Sequence, residues 1–154
     1  MSNFRNLTNR EIVTRALAGD NAVTTTGNMS TESYREGFTR YGAPYVGSLP
    51  HIWQRYLNNQ FAQGKIAQVI YSYSTPIAWL DRDHGWIIPD VRYSITTSTK
   101  HQTHLYMLRG THVYVPWDAT IDDLIRAVDG RLVFVRDSQG RAIGTRPGPN
   151  YKAT

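Results

Sequence analysis

The densest group of side chains able to bind or do chemistry lies between Arg92 and His104, where Thr96, Thr97, Ser98, Lys100, His101 and His104 are interleaved with further hydroxyls. A helix starting near Thr99 would bring its unpaired amide groups, the hydroxyls before it and the Lys100 ammonium to one point. Such a point holds phosphate or carboxylate. These six residues are therefore the candidate anion site, and the alternative is that the hydroxyls only cap the helix and close strand ends.

His101 and His104 fall on one helical stripe with Leu105 and Leu108, so they border a buried face. A zinc ion there would need a further ligand from His112, Asp90 or Asp118, yet neither a cysteine nor an HExxH pattern supports one. No metal and no cofactor is expected. His101-Gln102-Thr103 matches half of the two-histidine phosphoesterase signature, but His51, His84 and His112 are followed by the wrong residues for a second copy. A His-dependent phosphoesterase or metal enzyme is accordingly a rival reading without its acid–base partner. Neither a Gly-rich phosphate loop nor a GxSxG nucleophile turn occurs, so no catalytic residue is assigned.

A second feature is a set of arginines. Arg131, Arg136, Arg141 and Arg146 flank Asp137-Ser138-Gln139-Gly140, a four-residue hairpin loop whose final glycine favours a type I turn closed by a left-handed bulge. A plain loop would set Arg136 against Arg141 and Arg131 against Arg146, like-charged pairs that a bulged register offsets. With Arg92, these arginines are the candidate contacts to a nucleic-acid backbone. Alternatively, they shield an exposed strand edge from other chains.

Charge and composition set the frame. Lys and Arg number 17 against 12 Asp and Glu, a net +5 that favours anionic partners, and residues 131–154 carry five of the cations against the single acid Asp137. The absence of cysteine excludes disulfide scaffolds, thiolate metal sites and cysteine nucleophiles. No apolar run is long enough for a membrane helix, so a cytoplasmic protein without membrane contact is expected. A length of 154 residues suits one compact domain.

The elements that would position these groups follow from periodicity and punctuation. Helices are expected over 9–18, possibly over 31–41, from Ser48 as N-cap to Gly64, from Ser98 or Thr99 to Arg109, and over 121–128 behind Thr120. Strands are expected over 65–74, 76–80, 86–93, 111–115, 131–136 and 141–145. Tyr71, Tyr73, Trp79, Trp86 and Tyr93 lie on this sheet, where exposed rings would stack bases, and Tyr71 and Tyr73 share a strand face. The fold class is α+β, with a mainly antiparallel sheet and three or four helices in a single compact domain. Within it, residues 1–47 form a less regular arm, 48–146 the α+β body and 147–154 a flexible tail.

The segments Tyr71-Ser72-Tyr73-Ser74-Thr75-Pro76-Ile77-Ala78, then Trp86 with Pro89, then Tyr93-Ser94-Ile95-Thr96-Thr97-Ser98-Thr99-Lys100-His101-Gln102 resemble a domain of unknown function carried by actinobacterial phages and mobile elements. That resemblance implies a setting, the bacterial host cytoplasm, and transfers no activity. The leading expectation is a small basic phage-type accessory protein that binds nucleic acid or a phosphorylated ligand without catalysis. Its rival is a host-directed inhibitor that uses exposed Trp and Tyr residues against a host protein.

Overall fold

The computed structural model describes residues 3–34, 44–94 and 96–152. Seven strands form one sheet in sequence order: β1 (Asn3–Leu7), β2 (Asn21–Thr24), β3 (Met29–Ser33), β4 (Ile66–Ser72), β5 (Thr75–Asp81), β6 (Gly85–Pro89) and β7 (Thr111–Val113). The four inner pairings, from β2 to β6, are antiparallel, while β1 joins β2 and β7 joins β6 in parallel. A separate two-stranded hairpin, β8 (Leu132–Arg136) with β9 (Ala142–Pro147), follows. The fold is α+β and mainly antiparallel, as the pattern predicts.

Each parallel pair needs a crossover, and the chain supplies two. Between β1 and β2 runs α1 (Asn9–Ala18), fixed at its start by a Thr8–Glu11 capping box and ended by Gly19 in the left-handed region. Between β6 and β7 lie a π turn, Thr97–His101, and a 3-10 helix, Gln102–Leu108. Both crossovers cover the same sheet face, where Ile12, Val13 and Ala16 of α1 join Ile70, Ile88, Leu105 and Leu108 in one buried cluster. On the other face α2 (His51–Ala62) and α3 (Ile121–Val128) pack Trp53, Leu57, Leu124 and Val128 against Val69, Trp79 and Ile87. With both faces covered, β4 is buried along its whole length.

Several expectations change. The stretch 1–47, expected as a helical and otherwise irregular arm, contributes three strands to the sheet besides the expected helix α1. Where a helix is expected over 31–41, Thr31 and Ser33 belong to β3, because Met29 to Ser33 pair with Ser72 to Gln68; residues 35–41 lie outside the described ones. Ser48 does not cap α2: Pro50 holds that position without a side-chain bond, and the Ser48 amide donates to Thr75 Oγ1 at 2.9 Å. β6 ends at Pro89 rather than Tyr93. The helix expected from Ser98 to Arg109 is instead the π turn and the 3-10 segment.

Candidate functional site

The π turn exists because two of its side chains turn inward. Ser72, at the end of β4, lies on the crossover side of the sheet with Ile70 and meets both: His101 Nδ1 is 2.6 Å and Thr97 Oγ1 2.8 Å from its Oγ. Ser94 Oγ donates to Thr97 Oγ1 at 3.2 Å and accepts from the Thr97 amide at 3.3 Å. Holding Thr97 and His101 on one inward line widens the local helical turn, a form common at functional sites. Ser72, Thr97 and His101 are all buried. Burial, together with the nearby His104 and Lys100, lowers the His101 pKa, so its ring is neutral near pH 7, and its tautomer sets whether Nδ1 accepts from Ser72 Oγ or donates to it.

The six candidate anion-site residues are therefore divided. Thr97 and His101 face Ser72, while Ser98 and Lys100 are exposed and Thr96 and His104 are half-buried. The amide of Ser98 donates to the Ser94 carbonyl at 2.9 Å and that of Thr97 to Ser94 Oγ, so these amides are already engaged. Hydroxyls, ammonium and free amides do not meet at one point.

Beside this network a cleft of about 470 Å³ is lined by Ser48, Ser72, Thr75, Arg92, Tyr93 and Ser94 among others. Arg92 thus lines this cleft, which none of the hairpin arginines lines. Tyr73 also borders it; far from sharing a strand face with Tyr71, Tyr73 occupies the β4–β5 turn at φ 55° and leans on the His101 ring, 5.8 Å between centroids. Tyr71 is buried with its hydroxyl 2.9 Å from that of Tyr34. Burial raises both phenols, that of Tyr34 to about 12. Trp79 and Trp86 are buried too, so these rings serve the core and offer no face to a base.

The hairpin loop takes the bulged register. The Gly140 amide donates to the Asp137 carbonyl at 3.0 Å, Gly140 has φ 82°, and the pairing shifts between Val135 and Arg136. Arg136 consequently faces Ala142, and Arg146 faces Val133. Three of the four arginines have carboxylate partners: Arg131 with Asp129 at 3.2 Å, Arg136 with Asp90 at 2.7 Å and Arg141 with Asp137 at 3.0 Å. Among the described residues Arg146 has none.

Arg131 and Arg146 meet two cations that sequence reasoning missed. A cleft of about 520 Å³ is lined by Arg126, Arg131, Thr145, Arg146, Tyr151 and Lys152 among others, and no acidic side chain among the described residues lines it. Its floor exists because residues 148–151, expected to fray, are tied back: the Gly148 amide donates to the Arg131 carbonyl at 3.0 Å and the Asn150 amide to the Gly130 carbonyl at 2.7 Å. Gly148 crosses so close to the Gly130 carbonyl that a side chain there would collide with it. The glycines at 130 and 148 were the available signal. His112, Asp90 and Asp118 do not gather with His101 and His104, and no cluster of three or more metal-ligating side chains occurs among the described residues.

Fold and clefts together define an α+β protein with helices on both faces of a mixed sheet, a buried hydroxyl–imidazole network and a basic groove. The chain belongs to a family of unknown function, DUF8033, whose model matches residues 15–113. That span runs from within α1 to the end of β7 and includes Ser72, Arg92, Thr97 and His101, while the basic groove lies beyond it. No curated protein and no solved structure matches the chain.

Proposed function

We propose that this protein binds nucleic acid or another phosphorylated ligand in the cleft between α3, the hairpin and the C-terminal residues, and that this cleft binds its ligand without catalysis. The observation that carries this reading is the convergence of Arg126, Arg131, Arg146 and Lys152 on one open cleft beside Tyr151, whose ring is well exposed. Arginine forks suit phosphate oxygens, and an exposed tyrosine ring beside them suits a base. Arg126 and Arg131 already engage Asp123 and Asp129, so Arg146 and Lys152, without carboxylate partners among the described residues, supply most of the free positive charge. The motif resemblance to a phage-borne domain supports a setting in the bacterial host cytoplasm, where such ligands abound.

Retention of short DNA and RNA oligonucleotides across a salt series tests it. Two phosphate contacts from Arg146 and Lys152 correspond to a log–log slope of about −1.4 to −1.8. Removing both by Arg146→Ala with Lys152→Ala should flatten the slope by that amount, and Tyr151→Ala should weaken single strands more than duplex. Arg141→Ala, outside the cleft, should change little. A salt-independent response, or binding untouched by the double substitution, refutes the reading.

A further inference from the structure

Ser72 stands apart from an ordinary buried serine in three ways. Its Oγ is 2.6 Å from an imidazole nitrogen. It lines an open cleft of about 470 Å³ in which Arg92 is the only charged group among the described residues. It also precedes Tyr73, a bulky residue held at φ 55°, a conformation that costs free energy and clusters at functional turns. The Tyr73 amide is anchored to the Asn28 carbonyl at 2.7 Å, so the strain is fixed in place. A continuous chain of hydrogen bonds joins Ser94, Thr97, Ser72 and His101, and in the tautomer that carries its proton on His101 Nε2 the Ser72 hydroxyl donates to Nδ1. Tyr93, which also lines the cleft, has a buried hydroxyl with no hydrogen-bond partner among the described residues.

We propose that Ser72 and His101 form a nucleophile–base pair that hydrolyses carboxylic esters bearing a negative charge, with Arg92 holding that charge. Ser72 Oγ adds to the ester carbonyl carbon while its proton passes to His101 Nδ1. The tetrahedral adduct collapses, the bond to the leaving alkoxide breaks, and the imidazolium returns the proton to that oxygen. Water then repeats the sequence on the acyl-serine, releasing the carboxylic acid and restoring Ser72. Thr97 is a positioning residue, since it orients Ser72 without facing the carbonyl. This site is separate from the basic groove, so its failure would leave the binding reading intact.

The test uses a fluorophosphonate probe, which phosphonylates activated serines, on the full chain with intact-mass detection and peptide mapping. A single adduct on Ser72 is expected, absent in Ser72→Ala and formed at least about 100-fold more slowly in His101→Gln, the loss typical of a missing general base. Labelling of the unsubstituted protein should fall in acid as the imidazole protonates, a pH profile that a purely structural hydrogen bond would not produce. Arg92→Ala should raise KM for an anionic aryl ester by more than it does for a neutral one. Circular dichroism on each variant establishes that it is folded. No Ser72 adduct on folded protein, or equal labelling rates with and without His101, overturns the proposal.

Discussion

His84 Nε2 lies 2.8 Å from a carboxylate oxygen of Asp129, and its Nδ1 lies 3.1 Å from one of Asp81. One imidazole thereby joins the β5–β6 turn to the end of α3, and Asp129 also holds Arg131 at the edge of the basic cleft. Burial disfavours the charged ring, but the hydrogen bonds to the two carboxylates and their charges outweigh it, and the His84 pKa is raised. The clasp's contribution is then fully present below the unfolded value of about 6.5 and is lost as pH rises through the folded one. The thermal midpoint of the natural protein should exceed that of His84→Asn most near pH 5.5 and least near pH 8.5. A difference that stays level, or grows with pH, contradicts this.

His101 carries the opposite sign. Its lowered value means that the unfolded chain takes up a proton first, so its contribution is present above about 6.5 and disappears as pH falls through the folded value. Amide hydrogen exchange over 97–108, corrected for intrinsic chemistry, should accelerate between pH 7 and pH 5. In His101→Gln that pH response should vanish.

Trp79 is fully buried, 5.6 Å from Trp53 in an edge contact, yet its indole nitrogen has no hydrogen-bond partner among the described residues. Trp79→Ala should lose about 3–5 kcal/mol in denaturant unfolding. Trp79→Phe keeps an aromatic ring and removes the orphan donor, so its loss should stay under about 1.5 kcal/mol. Equal losses would place the value of Trp79 in its nitrogen rather than in its volume.

Arg136 couples the hairpin to the body twice, through Asp90 at 2.7 Å and through the Tyr114 ring, 4.2 Å below its guanidinium. Both groups of the ion pair are partly solvated, so Arg136→Ala should change global stability by no more than about 1 kcal/mol. Its larger effect should be local, as faster limited proteolysis within 137–147. A proteolysis pattern identical to that of the natural protein would show that α3 alone positions the hairpin.

Local signals in the sequence reached far into the fold. Thr8 and Gly19 delimit α1, and Thr120 caps α3, because capping chemistry acts within a few residues. The bulged hairpin was readable from Gly140 for the same reason. β3 escaped that reading, since Met29 to Ser33 are extended only by virtue of β4, which lies more than thirty residues away in sequence. The hydroxyl run after Arg92 suggested a helix start for an anion, but a partner on another strand, Ser72, drew Thr97 and His101 inward. Ser72 lies within the Tyr71–Ala78 segment, where nothing near it in sequence announces His101. The basic cleft is half legible: Arg131 and Arg146 flank the hairpin loop, whereas Arg126 comes from α3 and Lys152 is brought in by the tie-back of residues 148–151.

The two parallel pairings at the ends of the sheet bear on how the molecule assembles. β4, β5 and β6 follow one another through tight turns and need little chain closure to meet. β1 and β7 have no such shortcut, because each reaches its neighbour only across an intervening crossover. The three central strands should therefore organise early, with both outer borders arriving late, and the Ser72–His101 pair, whose two halves sit on either side of that delay, should be among the last contacts to form.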